Sequence, residues 1–126
     1  MTTINESFDL AKACAQLALS RNAEDIRILD LTEIESSPAD YFIVCTAGSE
    51  TQMRAIKDAL IKGTAALGSV KPRTEGADGT QWVILDYFDV VIHIFLAEGR
   101  VFYKLEKLWG DAKVFLVDDR GNVTEN

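Results

Sequence analysis

Two aspartates, a tryptophan and the chain's only histidine lie close together in the segment WVILDYFDVVIHIF, which runs from Trp82 to Phe95. Carboxylates and an imidazole can move protons, activate a nucleophile or hold a metal, and each role needs a particular arrangement. Strand alternation puts Asp89, Val91, His93 and Phe95 on one face and Val90, Ile92, Ile94 and Leu96 on the other, which is the core face. As a hairpin closed across Tyr87-Phe88, the segment pairs Trp82 with His93, Ile84 with Val91 and Asp86 with Asp89. The product is a Trp/His/carboxylate patch, not a charge relay, because only His93 could serve as base and no nucleophile is placed beside it. Two carboxylates without further ligands make a poor cation site. No catalytic residue, metal ligand or cofactor is therefore expected here, and His93 should be satisfied by packing or by one hydrogen bond.

The second place where chemistry could sit is CTAGSETQ. Gly48-Ser49 falls between a hydrophobic run and a helix start, where backbone N–H groups and the helix dipole could hold an anion. Neither GxxxxGK[ST] nor GxGxxG is present, so the phosphate-loop patterns fail. A Gly-Ser turn opening a helix also resembles the nucleotidyltransferases. Those enzymes hold magnesium with two acids spaced by one residue, whereas the helix after Ser49 offers Asp58 alone, followed by Ala59 and Leu60. Helix capping by Ser49 and Gln52 is the preferred reading.

The elements that must position these residues follow from periodicity. Thr3 and Glu6 can form a capping box, and Ile4, Phe8, Ala11, Ala15 and Leu19 then recur on one face of a helix of about four turns. IRILDLTEI, residues 26 to 34, predicts a strand closed off near Ser36-Ser37-Pro38. YFIVCTA, residues 41 to 47, is a continuous apolar run suited to a strand buried on both faces. Met53, Ile56, Leu60 and Leu67 share a helix face that Gly68 can terminate. SVKPRTEGADGT, residues 69 to 80, reads as a surface loop. Tyr-Phe is a poor two-residue turn, since the favoured turns want positive φ, so a wider loop between the hairpin strands is the alternative. Glu98 to Trp109 carries Phe102, Leu105, Leu108 and Trp109 at helical spacing and stops at Gly110. VFLVD, residues 114 to 118, predicts a last strand. The resulting order is an α/β or α+β arrangement, a mixed sheet of about five strands with helices packed on it. One domain over residues 1–118 is expected, with 119–126 a flexible polar tail.

A chain of 126 residues can build a core without disulfides or metals. Cys14 and Cys45 match no metal or redox spacing and read as reduced core thiols. No apolar stretch approaches the ~20 residues of a membrane span, and the N-terminus carries no export or transit signature, so a cytoplasmic location is expected. The formal net charge is −7, from 20 acids against 13 bases. Phosphate binding wants the opposite sign, and a stripe of Arg54, Lys57 and Lys62 is too short to reverse it, so direct nucleic-acid recognition is disfavoured. If the chain works near RNA, its partner there is expected to be a basic protein. Contact area for one is available in Trp82, Tyr87, Phe88, Phe102, Tyr103 and Trp109, set among Glu75, Asp86, Asp89, Glu98 and Glu106, since aromatic side chains are favoured interface anchors.

Three stretches carry a resemblance. ADYFIVCTAGSETQMRAIKDAL, EGADGTQWVILDYFDVVIHIF and RVFYKLEKLWGDA, in that order and spacing, resemble the ribosomal silencing factor family, RsfS or Iojap, over about residues 26 to 113. The resemblance implies a non-catalytic factor with a nucleotidyltransferase-like fold. It implies binding to ribosomal protein fourteen, a basic protein on the large subunit's intersubunit face. By that binding such factors block subunit joining, repressing translation when nutrients are short, and they commonly form homodimers. The matching positions imply a partner-binding set of Trp82, Asp86, Asp89, Tyr103, Glu106 and Trp109, with Tyr87 and Phe88 at its rim. Phe88 departs from the family pattern, which usually has Gly there. An enzyme of the nucleotidyltransferase kind, using the Gly-Ser turn and nearby acids, is the alternative.

Overall fold

The computed structural model of the protein describes residues 6–76 and 79–126. Its centre is β2 (Tyr41–Ala47), which runs parallel to β5 (Val90–Leu96). Both strands are near-continuous apolar runs, broken by Thr46 in β2 and His93 in β5, because both faces of each are covered. Every other neighbouring pair is antiparallel, in the order β3 (Arg73–Glu75), β4 (Trp82–Asp86), β5, β2, β1 (Glu24–Asp30), β6 (Lys113–Val117), β7 (Val123–Glu125).

One face is covered by two long helices, α1 (Glu6–Leu19) and α2 (Glu50–Ala66). Cys14, Ala15, Ile56 and Leu60 from the helices meet Ile28, Ile43, Cys45, Ile92 and Ile94 from the strands in one apolar cluster. The cysteines are free and buried, and burial pushes both thiols up to about 12. The helices approach closely at Gly63, where an added Cβ would collide with the Leu17 side chain. The other face is covered more thinly, by α3 (Ala97–Tyr103) and the single turn α4 (Leu105–Leu108). Beneath them Leu29, Phe42, Val44, Val91, Phe95 and Leu105 form a second cluster, with Trp82, Ile84 and Trp109 partly buried against it.

Local signals explain most boundaries. Ser49 caps α2 by accepting from the Gln52 N–H at 3.1 Å. The helix ends in a Schellman arrangement, Ser69 N–H to Thr64 C=O and Gly68 N–H to Ala65 C=O, with Gly68 at φ 85°. The expected Thr3 cap and Ile4 lie outside the described residues, as do positions 77–78.

Several expectations are corrected. β1 ends at Asp30, not near Ser36, because the Asp30 carboxylate accepts from the Thr32 N–H at 2.9 Å and its hydroxyl at 2.6 Å, folding the chain into a turn. Leu67 is exposed, beyond the last buried turn of α2. Part of the expected 69–80 loop is the edge strand β3, whose three exposed residues carry no apolar signal. The polar tail supplies a seventh strand: the Asp118 carboxylate accepts from the Arg120 and Asn122 N–H groups at 2.9 and 2.8 Å, turning the chain so that β7 pairs with β6.

Candidate protein-interaction surface

The β4–β5 hairpin is in the sheet, but two residues out of the expected register. Trp82 faces Phe95, Ile84 faces His93 and Asp86 faces Val91. The turn explains the shift. Asp89 N–H donates to Tyr87 C=O at 3.1 Å across Phe88, whose φ is 77°, which is the hydrogen bond of a γ-turn. Tyr87 N–H donates to Val90 C=O at 2.8 Å, and the Asp86 carboxylate accepts from Phe88 N–H at 2.8 Å. Asp89 offers its carbonyl to the Asp40 and Tyr41 N–H groups at 2.8 and 3.1 Å, pinning the turn to the start of β2.

Trp82 and His93 are therefore diagonal neighbours, and diagonal reach suits large rings. The indole N–H donates to His93 Nδ1 at 3.0 Å. An Nδ1 that accepts leaves the proton on Nε2, and that atom has no hydrogen-bond partner among the described residues. The Phe42 ring centroid stands 4.5 Å from the imidazole. Burial in this apolar setting lowers the His93 pKa to about 3, so the ring is neutral. The single hydrogen bond and the packing assign His93 a structural role: it orients Trp82.

Around that pair the aromatic residues converge. Trp82 lies 5.0 Å from Phe95 and 4.7 Å from Tyr103, and Trp109 meets Phe42 edge-on at 5.8 Å. The helix expected to be continuous from Glu98 to Trp109 breaks at Lys104, which adopts φ 53° between α3 and α4. The break rotates the expected face apart. Leu105 and Trp109 turn inward, while Val101, Phe102 and Leu108 are 71%, 74% and 75% exposed, beside half-exposed Tyr103. The sequence placed Phe102 and Leu108 on one helical stripe with Leu105 and Trp109, offered Phe102 as contact area as well, and did not single out Val101. The missing signal was a left-handed lysine, which nothing in a single sequence announces.

What fixes this helical pair is a cluster of ions. Arg100 Nε donates to Glu106 Oε1 at 2.8 Å, and its Nη1 donates to the Asp25 carbonyl at 2.7 Å and Thr46 Oγ1 at 2.8 Å. Arg27 Nε stands 3.0 Å from Asp25 Oδ1 and 3.7 Å from Glu106 Oε2. Glu106 is thus a clamp between α4, α3 and the sheet. At the other side of α3, an added Cβ on Gly99 would lie 2.7 Å from the Gln81 carbonyl, so only glycine lets the helix start this close to β4.

Of the expected partner-binding residues, Trp82, Tyr103 and Trp109 come together, with Asp86, Phe88 and Asp89 at the far end of the same hairpin. Tyr87 is corrected: it is buried toward α2, its hydroxyl 2.9 Å from Thr64 Oγ1, so it offers no contact surface. The anion-cradle reading of Gly48-Ser49 is also displaced, because Gly48 N–H already donates to Gln52 Oε1 at 2.6 Å, while Gln52 Nε2 ties the cap to the Arg21 and Asn22 carbonyls.

Fold and surface together define a mixed α/β scaffold that presents apolar and aromatic contact area on one sheet face. The family of ribosomal silencing factors acting during starvation matches residues 4–126. The ribosomal silencing factor of Bacillus subtilis is 38% identical over 109 residues, covering 86% of this chain and 92% of the relative. That of Halalkalibacterium halodurans is 41% identical over 92 residues, 73% of this chain and 78% of the relative. A crystal structure of protein CV0518 from Chromobacterium violaceum superposes with a TM-score of 0.76 at 29% identity, covering 82% of this chain and 85% of that one. This chain belongs to the ribosomal silencing factor family.

Proposed function

We propose that the protein binds the large ribosomal subunit through ribosomal protein fourteen on its intersubunit face and thereby keeps the small subunit from joining, repressing translation when nutrients are limiting. The observation that carries the reading is the open cluster of Val101, Phe102, Tyr103 and Leu108 beside Trp82, in a chain of a ribosome-silencing family. Large exposed apolar side chains grouped on rigid elements are the raw material of an interface core. The acids Asp86 and Asp89, with Phe88, extend that surface along the hairpin, and a net charge of −7 favours encounter with a basic protein. Inhibition then scales with occupancy and needs no bond made or broken. The same apolar surface would serve a homodimer in the cytoplasm when no ribosome is bound.

Subunit reassociation on a gradient tests the reading. The wild-type protein should hold the subunits apart, and Phe102→Ser with Leu108→Ser should let them join while the fold persists. Normal joining with saturating wild-type protein would refute it.

A further inference from the structure

Away from the aromatic surface, a groove of about 620 Å³ runs between the start of α1, the residues that follow α2, and the β4–β5 turn. That volume falls in the ~300–1,000 Å³ range of sites that take up ligands. Its apolar lining includes Leu10, Leu67 and Val70, of which the last two are 65% and 68% exposed. Leu67 lies within the Schellman turn that ends α2 and Val70 follows it directly, so both reach solvent where the chain leaves the helix. Glu6, Asp9, Asp40 and Asp89 supply carboxylates around this lining, and no lysine or arginine is among the described residues that line it. The nearby Lys12 is paired with Asp9 at 3.6 Å, in an exposed contact worth little.

We infer that this groove binds a basic peptide segment, in which apolar side chains alternate with lysine or arginine. An apolar floor takes the apolar side chains, and carboxylates spread around it meet the cations on either side. Charge complementarity selects the class: an acidic peptide would be repelled by the carboxylates of the rim, and a purely apolar one would make no use of them. The groove is a contact separate from the Val101, Phe102 and Leu108 surface; it shares Asp89 with the hairpin end of the surface proposed above, and its other lining residues lie outside that surface.

Fluorescence anisotropy with a dye-labelled peptide of alternating lysine and leucine tests it on the full chain. Binding should weaken as salt is raised. It should fall about tenfold or more, roughly 1.4 kcal/mol, both in Leu67→Ser with Val70→Ser and in Asp9→Asn with Asp40→Asn, with circular dichroism confirming each fold. Phe102→Ser with Leu108→Ser should bind the peptide as the wild type does. Equal binding of a lysine and serine peptide, or displacement of the leucine peptide by spermidine at equal charge, would overturn the inference in favour of unspecific cation attraction. Binding that appears only in a chain shortened by residues 1–5 would assign the groove to that segment and overturn it as well.

Discussion

On one face of the sheet, α1 and α2 leave Cys14, Ile43, Ile56, Leu60 and Ile92 with no exposed surface; on the other, α3 and α4 cover Phe95 yet leave Val101, Phe102 and Leu108 in solvent. The covering elements differ in length, 14 and 17 residues against 7 and 4. A long amphipathic helix can bury its whole apolar stripe, whereas a single turn cannot. The first face therefore stores stability and the second stores contact area. Substitutions on the two faces should separate folding from binding.

The largest separation is expected at Ile92, on the covered face. Ile92→Ala should cost about 3 kcal/mol in denaturant unfolding, from lost burial plus a cavity, while the folded fraction binds ribosomes unchanged. Arg100→Met should cost about 2 kcal/mol, because it removes the part-buried bonds to Glu106 and Thr46 Oγ1 and leaves Glu106 only the longer Arg27 contact. Unlike Ile92→Ala, it should also weaken ribosome binding, since α3 and α4 lose their clamp.

His93 sharpens the comparison through pH. Its folded pKa of about 3 lies below the ordinary 6.5, so the unfolded chain takes up the proton first as pH falls. Its contribution is therefore complete above about 6.5, declines by up to about 1.4 kcal/mol per pH unit below that, and levels off near 3. His93→Gln keeps an acceptor for the Trp82 indole and should flatten the stability profile between pH 6.5 and 5, measured by chemical denaturation. An unchanged slope would show that the imidazole charges in the folded state. A smaller effect is expected at Phe88→Gly: φ 77° disfavours a side chain, so glycine should stabilise by about 1 kcal/mol. Smallest of all, Phe102→Ser with Leu108→Ser should move stability by no more than about 0.5 kcal/mol, although the proposed function expects it to relieve the block on subunit joining.

Signals confined to one turn of chain were legible in the sequence. Ser49 and Gln52 announced the start of α2, Gly68 announced its end, and the near-continuous YFIVCTA run announced a strand covered on both sides. Structure set by unusual backbone angles or by distant partners was not legible. Phe88 and Lys104 sit at positive φ, where their residue types give no warning, and these two residues shifted the hairpin register and split the last helix. β3 and β7 carry mostly polar residues and exist because β4 and β6 offer them hydrogen bonds. For the candidate surface, Trp82, Tyr103 and Trp109 were recoverable from residue type. Phe102 was named on the same ground, but Val101 and Leu108 were not, since their exposure follows from the Lys104 break.

The outermost strands, β3 and β7, are three residues each, with Arg73, Glu75 and Glu125 exposed along them. Such stubs give an incoming strand almost nothing to zip onto, and their charges discourage lateral stacking of one copy on the next. In a chain with bare phenylalanine and leucine on its flank, such edges disfavour stacking into fibrils and favour a visitor that lands on its broad side over one that lengthens its sheet.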